Sequence, residues 1–286
     1  MFSIIKNEKI DIVHLFGIIL DSPIFRLLVL KNNKVIFSEV EDPSNRNSNK
    51  KKFSKFLSYC SRVIVPSSII ENKINNICPN IKDKVSIIPW TINEIKILSK
   101  NKNNLNKTLV FGSSGRLHNL KGFHILLEAL SKVKNKNWNL IIAGDGEEYT
   151  NLVKQSKLLG INDNIIFLGW TKDITSFFSN VDIFIHPSFS EGMPMVIIEA
   201  LYFSKPVIAT NVGSVSEMLD DNCGFIIEMN NPDVLTEKIN YFIDSPEVIE
   251  KMSIHSRKIF EEKFSQNTIL SKIECTYELL KSKNNG

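Results

Sequence analysis

The stretch Val181-Asp-Ile-Phe-Ile-His-Pro-Ser-Phe-Ser-Glu-Gly-Met-Pro-Met-Val-Ile-Ile-Glu-Ala200 predicts a strand, a short loop and a helix in succession. Its first six residues are largely apolar and β-branched, as in a buried strand, and Pro187 ends the run. Gly192 allows a sharp turn, and Pro194 suits the first helical position because it has no N–H group to leave unpaired. Residues 195–201 then read as a buried helix.

Two carboxylates and a helix start meet in this corner. The first peptide N–H groups of a helix have no internal partner and carry the positive end of its dipole, so they attract an anion such as a phosphate. Glu191 lies in the loop and Glu199 lies more than a turn along the helix, so each carboxylate can accept different hydroxyls of one ligand. Two glutamates at this spacing are also typical of a solvated surface, but the buried strand and helix around them favour a binding site.

Composition limits the class of protein. The chain has 286 residues and 43% hydrophobic content, enough for one large or two ordinary domains. The 35 basic and 31 acidic residues leave a net charge of only +4, which gives no argument for nucleic acid as a partner. Charged side chains interrupt residues 6–11, so we expect neither a signal peptide nor a membrane span there. The four cysteines form no CxxC pair and no metal-ligand cluster with the histidines, which predicts reduced thiols in a cytoplasmic protein without a metal site.

The first part of the chain alternates between strands and helices, which predicts a parallel sheet. A polar stretch over 93–107 follows and reads as a linker. The predicted strands are 9–16, 34–40, 62–66 and 84–89, and the predicted helices are 23–30 and a segment from Ser68.

Residues 42–53 predict a turn-rich loop that is strongly basic. No acidic residue interrupts the set Arg46, Lys50, Lys51, Lys52 and Lys55. One interpretation is a solvated loop. The other is contact with an anionic membrane surface or acceptor, since each basic residue near such a surface contributes about 1 kcal/mol.

A second alternating series predicts a doubly wound domain over about 120 residues. Ligands of such open sheets bind beyond the carboxyl ends of the strands. Arg116, Glu191 and Gly213 each follow a predicted strand, so we expect them on one rim. The predicted strands are 108–117, 139–143, 164–168, 181–186, 206–210 and 224–227, and the helices between them are 122–133, 148–159, 174–178, 195–201 and 213–219.

An ordered series of short motifs over residues 108–230 resembles the retaining glycosyltransferases of the GT-B fold, family 4, with a weaker similarity extending to Leu280. The motifs are Gly115-Arg-Leu with Lys121-Gly122, Ala143-Gly-Asp-Gly146, Phe167-Leu-Gly169, Glu191-Gly-Met-Pro194 with Glu199-Ala200, and Gly213 with Glu217. The resemblance implies an α/β fold with two Rossmann-like, doubly wound domains. It implies an acceptor-side domain over 1–100, a nucleotide-sugar domain over 101–260, and a closing helix over 261–286 that packs toward the first domain.

The resemblance also implies roles at the matching positions. Arg116 and Lys121 would hold the donor diphosphate, Glu199 the ribose hydroxyls, and Glu191 the donor sugar at the catalytic centre. The chain at 168–170 would border the base. Backbone groups that would meet sugar or phosphate lie around Gly192, Met193, Pro194 and Met195.

The chemistry of the transfer fits these roles independently. Cations and the N–H groups at a helix start stabilise the negative charge that develops on a leaving nucleoside diphosphate. Because the protein supplies these groups, no metal and no cofactor is expected. A carboxylate such as Glu191 can also stabilise an oxocarbenium-like centre. The sequence offers no clear enzymic nucleophile, so retention is expected to involve front-face attack assisted by the leaving phosphate.

The first domain departs from the family pattern. Asp11-Ile-Val-His14 resembles a strand that usually lies well inside that domain, so the domain is predicted to be shortened. Its second strand is followed by Glu41-Asp42 where the family carries a histidine before an aspartate, and 88–93 lacks the usual Asn-Gly and final Asp. His14 is interpreted as a structural residue rather than a base. A shortened sheet leaves an edge strand that a protein partner would cover.

The predicted function is transfer of a sugar from a nucleotide-sugar to a carbohydrate or lipid-linked hydroxyl acceptor, in polysaccharide or glycolipid assembly. The predicted location is cytoplasmic, with peripheral contact at the inner membrane face. One alternative is a donor-binding remnant without catalysis, completed by a separate polypeptide. Within enzymes, a nucleotide-sugar epimerase or a phosphorylase of the same architecture is a weaker alternative.

Overall fold

Parallel β-sheets form the centre of each of two units in this chain. A computed structural model describes residues 10–17, 34–40, 43, 50–95 and 108–282. Contacts divide the chain into a first unit, residues 1–90 with 267–286, and a second unit, residues 91–266. The predicted domain limits at residues 100 and 260 stay predictions. The predicted helix over 23–30, Arg46, Glu41-Asp42 and most of the predicted linker lie outside the described residues.

The first unit contains a four-stranded parallel sheet of order β1-β2-β3-β4. Side chains of β2 alternate between its two faces: Val35 and Phe37 pack with helix residues on one side, and Ile36 packs on the other side with Ile269 and Leu280 of the C-terminal helix Gln266–Ser282. The strands are β1 Ile12–Phe16, β2 Lys34–Ser38, β3 Arg62–Val65 and β4 Val85–Ile87, and the helices between them are α1 Lys50–Tyr59 and α2 Ser68–Ile77.

The second unit contains a six-stranded sheet, parallel throughout, whose strands lie where the sequence predicts them. The strands are β5 Leu109–Ser114, β6 Trp138–Ala143, β7 Ile165–Gly169, β8 Ile183–His186, β9 Val207–Thr210 and β10 Gly224–Ile227. The helices are α3 Phe123–Lys132, α4 Tyr149–Leu158, α5 Ile174–Ser179, α6 Met195–Tyr202, α7 Val215–Met218, α8 Pro232–Asp244 and α9 Glu247–Ile259.

The strand order of this sheet places a crevice at its centre. The order β10-β9-β8-β5-β6-β7 means that the chain runs outward from β5 through β6 to β7 and then returns to β8 on the other side of β5. Loops that follow β5 and β8 therefore leave the sheet in opposite directions. This is the position at which doubly wound sheets bind their ligands.

Two local predictions are wrong. Residues 50–53 belong to α1 rather than to a loop, because Phe53, Phe56 and Leu57 recur at helical spacing and are buried. Pro194 is the cap residue of α6 and not its first helical residue: its ψ of 108° is extended, and the helix begins one residue later at Met195.

Two further findings bear on the class of protein. No helix within the described ranges has the length and apolar character needed to cross a bilayer. All four cysteines are free thiols, in agreement with the prediction of reduced cysteines.

Candidate functional site

The loops that follow β5 and β8 are bonded to each other at the central crevice. Leu120 accepts two hydrogen bonds at its carbonyl oxygen, from the backbone N–H of Phe189 at 2.7 Å and from Oγ of Ser188 at 3.0 Å. Gly122 has a left-handed φ of 68°, and a Cβ atom at this position would collide with the carbonyl of Pro187. The two loops therefore form one packed surface on which the side chains of Lys121 and Glu191 are held.

The loop after β9 supports the same surface from one side. The backbone N–H and Oγ of Ser214 donate to the carbonyl oxygen of Gly192 at 2.9 and 3.0 Å. Gly213 has a φ of 54°, and a Cβ atom there would lie 2.5 Å from the carbonyl oxygens of both Glu191 and Gly192. Because only glycine fits this approach, Gly213 sets the position of the 191–192 backbone.

Two side chains, those of Lys121 and His186, contact the carboxylate of Glu191. Nζ of Lys121 lies 2.6 Å from Oε1 of Glu191, and Nε2 of His186 lies 2.9 Å from the same oxygen. The side chains of His186 and Glu191 are only 3% and 12% exposed, so water does not compete strongly for these bonds. An ionised carboxylate can only accept, so Nε2 of His186 carries the proton in this pair. For Oε2, no hydrogen bond to the described residues is seen, which leaves this oxygen for a ligand.

The electrostatics of Glu191 favour its ionised form. Burial alone would raise the pKa of this carboxyl, but the hydrogen bonds and positive charge of His186 and Lys121 outweigh burial and lower the pKa to about 2. The group is therefore a fixed negative charge at neutral pH.

A cleft of about 740 Å³ opens beside this cluster, at the carboxyl ends of β5, β6 and β7. Residues at the start of the loops after β5 and β6 line it, and so do two aromatic rings of α5. Among the lining residues are Arg116, Asp145, Trp170, Phe177, Phe178 and Glu199.

Glu199 reaches this cleft from α6. Burial raises the pKa of its carboxyl to about 7, because the surroundings provide little solvation for the charged form. The two predicted carboxylates therefore lie in contrasting environments. Glu191 is stabilised as an anion by two donors, whereas Glu199 titrates near neutral pH.

Arg116 lines the cleft, but its side chain is 73% exposed. Its guanidinium lies 3.4 Å from Glu147, and Nε2 of His118 lies 3.5 Å from the same carboxylate. Exposed ion pairs of this kind contribute little to stability, so Arg116 can exchange Glu147 for an anionic ligand at small cost. Lys121 is engaged instead with Glu191, and its Cδ passes 4.0 Å from the Cβ position of Gly115.

The start of α6 is open to an anion. No side chain caps this helix at Pro194, so its first N–H groups are available to hydrogen-bond a ligand. Gly192 and Met193 are half-buried, Pro194 is buried and Met195 is 37% exposed.

An exposed aromatic ring stands at the mouth of the cleft. The side chain of Trp170 is 69% exposed and lies at the end of β7 beside Leu168, which is 46% exposed. Nζ of Lys172 lies 5.6 Å from the Trp170 ring. This is the segment that the resemblance places next to a base.

The family model described as glycosyl transferases group 1 matches residues 95–259. The chain belongs to this family. The match covers the whole of the six-stranded sheet and every predicted site residue.

Curated relatives of this chain include bacterial glycosyltransferases. An uncharacterised glycosyltransferase of Haemophilus influenzae is 35% identical over 187 residues, covering 63% of this chain and 52% of the relative. The capsular polysaccharide biosynthesis glycosyltransferase CapM of Staphylococcus aureus is 28% identical over 229 residues, covering 79% of this chain and 60% of the relative. The chain thus spans between half and two thirds of the length of these relatives.

Solved structures confirm the predicted fold class, α/β of the GT-B type. A glycosyltransferase of Rickettsia africae is 25% identical with a TM-score of 0.82, covering 98% of this chain and 79% of the other. Anabaena HepE, solved in complex with UDP, has the same TM-score of 0.82 at 20% identity and covers 97% of this chain and 81% of the other. The shortening of the first domain stays a prediction.

The sequence analysis did not identify His186 as a partner of Glu191. The available signal was a histidine at the end of a buried strand, five residues before Glu191. Strand-end histidines have many structural uses, so this signal alone does not point to a carboxylate partner. The pairing depends on the conformation of the loop after β8, which brings Oε1 of Glu191 within 2.9 Å of Nε2 of His186.

Proposed function

We propose that this glycosyltransferase is a retaining, family 4 enzyme that transfers a hexosyl group from a nucleoside diphosphate sugar to a hydroxyl acceptor. The observation that carries the proposal is the cleft at the carboxyl ends of β5, β6 and β7, with Glu199 inside it and Glu191 at the adjoining strand end. Two structural neighbours, both HepE of Anabaena, are described in complex with UDP and with UDP-glucose, which supports a nucleotide-sugar as the donor class.

In this proposal the diphosphate lies between Arg116, Lys121 and the first N–H groups of α6. Negative charge grows on the leaving diphosphate as the glycosidic bond breaks, so these groups stabilise the transition state more than the ground state. They are already positive or donor-rich without a metal ion, so we propose that the transfer needs neither a metal nor a cofactor.

In this arrangement the carboxylate of Glu199 accepts hydrogen bonds from the ribose hydroxyls, and Glu191 binds the donor sugar. Oε1 of Glu191 is held by His186 and Lys121, so Oε2 is the oxygen offered to a sugar hydroxyl. In this proposal the ionised carboxylate also stabilises the positive charge that develops on the anomeric carbon. We propose front-face attack by the acceptor, with the leaving phosphate taking the acceptor proton.

The acceptor class follows from the relatives. Among the curated relatives are enzymes of capsular polysaccharide, O-antigen and lipopolysaccharide core biosynthesis. We therefore propose a carbohydrate or lipid-linked acceptor, and a role in the assembly of a surface polysaccharide or glycolipid.

Calorimetric titration of UDP and GDP into the wild-type chain and two variants tests the donor site. Arg116→Ala and Glu199→Ala should each lower the affinity for the nucleotide by roughly tenfold to a hundredfold, the usual effect of losing a hydrogen bond to a charged group. Lys154→Ala, an exposed change on α4, is the matched control and should bind as the wild type does. Unchanged affinity in both site variants would exclude this donor site. Nucleotide binding without any sugar transfer across a broad acceptor panel would favour the donor-binding alternative.

A further inference from the structure

Charge is distributed unevenly between the two units. Residues 50–90, all in the first unit, contain eight basic and two acidic residues. Residues 108–266, in the second unit, contain fourteen basic and twenty acidic residues. The small net charge of the whole chain therefore conceals a basic segment, and such asymmetry is typical of proteins that contact a polyanionic surface.

The basic residues of the first unit concentrate on the outer side of α1. Phe53, Phe56 and Leu57 fix the inner side of this helix in the core. With 3.6 residues per turn, Lys51 and Lys55 then lie on the opposite side, and both are exposed. Lys50 and Lys52 flank them and are exposed as well, and the helix sequence contains no acidic residue.

These charges are placed where they disfavour the helix. Three lysines occupy its first turn, next to the positive end of the helix dipole. Lys51 and Lys55 are four residues apart, a spacing at which like charges repel. Lys50, Lys51 and Lys55 form no salt bridge with the described residues, so contacts within the described part of the chain do not account for this arrangement.

The helix cannot turn its apolar side outward. Nζ of Lys84 donates to the carbonyl oxygens of Ser58 and Cys60, both at 3.1 Å, and so anchors the C-terminal end of α1. Sγ of Cys78 lies 3.5 Å from the carbonyl oxygen of Ser54. The helix is therefore held in place with its lysines exposed to solvent. This arrangement suits electrostatic contact with a charged surface and not insertion into a bilayer.

We propose that the lysine face of α1, formed by Lys50, Lys51 and Lys55, docks on the anionic headgroups of a lipid bilayer. Attraction of this kind acts within a Debye length of the surface and needs no apolar insertion. The choice of a bilayer over a soluble polyanion rests on the proposed function, since a lipid-linked acceptor is presented at a membrane. The charge segregation itself does not depend on that function.

Co-sedimentation with lipid vesicles tests the proposal. The full chain should bind vesicles of phosphatidylcholine mixed with phosphatidylglycerol, should not bind phosphatidylcholine alone, and should be released by salt. The triple variant Lys50→Glu/Lys51→Glu/Lys55→Glu should bind the anionic vesicles at least roughly tenfold more weakly. The matched control Lys154→Glu/Lys157→Glu/Lys251→Glu changes three exposed lysines of the second unit and should bind as the wild type does.

Three outcomes would overturn the proposal: no binding to anionic vesicles, equal losses in the two triple variants, or binding to heparin without binding to vesicles. UDP titration of the same samples separates this proposal from the proposed function. Unchanged UDP affinity in the Lys50→Glu/Lys51→Glu/Lys55→Glu variant shows that its second unit is folded, and an unchanged circular-dichroism spectrum and denaturant-unfolding midpoint show that the first unit, which contains α1, is folded as well. Vesicle binding by a chain that binds no nucleotide would leave the lipid contact standing while contradicting the donor site.

Discussion

Nε2 of His186, at the end of β8, donates to Oε1 of Glu191 across 2.9 Å, and this bond fixes the carboxylate on which the proposed sugar contact depends. His186 is almost fully buried, so its ring orientation is set by packing and not by solvent. Lys121 binds the same oxygen. With one oxygen held twice, Glu191 can present the other in a single orientation, which is the preorganisation that a transition state requires.

Substitution His186→Leu should weaken binding of the donor sugar while sparing the nucleotide. The variant leaves Glu191 with Lys121 alone, so the pKa of the carboxyl rises and Oε2 loses its fixed direction. Loss of a hydrogen bond to a buried charge is worth about 1.5–3 kcal/mol, so affinity for the preferred nucleotide-sugar should fall by roughly tenfold to a hundredfold. UDP affinity, measured by calorimetry, should change little.

His186→Gln is the control for this prediction, because its amide can still donate to Glu191. It should recover most of the lost affinity for the nucleotide-sugar. Equal losses of UDP and UDP-sugar affinity in His186→Leu would show instead that the substitution damages the whole site.

UDP affinity should depend on pH through Glu199. Burial raises the pKa of this carboxyl to about 7, and a ribose diol binds best to its ionised form. The ionised fraction, and with it the affinity, should therefore rise by about tenfold between pH 6 and pH 8. Titrations in Glu199→Gln should keep only the dependence that comes from the terminal phosphate of UDP. The same pH profile in wild type and variant would rule out Glu199 as the titrating group.

The same variant should stabilise the protein at alkaline pH. The pKa of this carboxyl is 4.5 ordinarily and about 7 in the folded protein. Because the folded state holds its proton more tightly than the unfolded state does, the free energy of unfolding falls as pH rises between these two values. The accumulated loss is on the order of 3 kcal/mol above pH 7. Glu199→Gln removes it, so denaturant unfolding should show a gain on the order of 3 kcal/mol at pH 8 and of less than about 1 kcal/mol at pH 5. A gain of the same size at both values would point to a cause other than titration.

Gly213→Ala should disturb the proposed donor site through the loop that contacts the backbone of Glu191 and Gly192. The added methyl group would meet the carbonyl oxygens of Glu191 and Gly192 in a backbone conformation that side chains disfavour. Gly160→Ala is a matched control, since Gly160 has a similar φ of 67° but no atom within 4 Å of its Cβ position. Both variants should lose about 1 kcal/mol of stability from the left-handed backbone alone, and Gly213→Ala should lose more because its methyl group would overlap two backbone oxygens. Only Gly213→Ala should also weaken nucleotide-sugar binding; equal affinities in the two variants would contradict the role of this contact.

In the first unit, Tyr277→Phe should lower stability without affecting nucleotide binding. The hydroxyl of Tyr277 bonds Nδ1 of His14 at 2.7 Å, while Nε2 of His14 bonds Oγ of Ser38 at the same distance. Losing one such bond costs about 1 kcal/mol, measurable by denaturant unfolding. Tyr241→Phe, at an exposed ring of α8, is the control and should be neutral. The two bonds also support the interpretation of His14 as a structural residue.

The sequence predicted the second unit well because its signals are local. Apolar, β-branched runs such as Ile183–His186 mark the strands, and turn residues separate them, so the element types follow from short windows. The strand order and the contact between Lys121 and Glu191, 70 residues apart, depend on how those elements pack. No window of the sequence contains that information.

The error at α1 has a different cause. Pro43 and the Ser, Asn and Lys residues after it are strong turn and polar signals, and they outweighed the apolar spacing of Phe53, Phe56 and Leu57. Lysines in a first helical turn also oppose the dipole, so the usual start signals were absent. The helix forms because burial of three large apolar side chains outweighs that cost.

A crystal structure of the chain with UDP bound is the most direct test of the proposed donor site. The nucleotide should occupy the cleft lined by Arg116 and Glu199, with the ribose hydroxyls within hydrogen-bonding distance of Glu199. The diphosphate should contact Arg116, Lys121 and the first N–H groups of α6, and Oε1 of Glu191 should still be bonded to His186. A nucleotide bound elsewhere, or one in this cleft whose ribose does not contact Glu199, would contradict the proposed donor site.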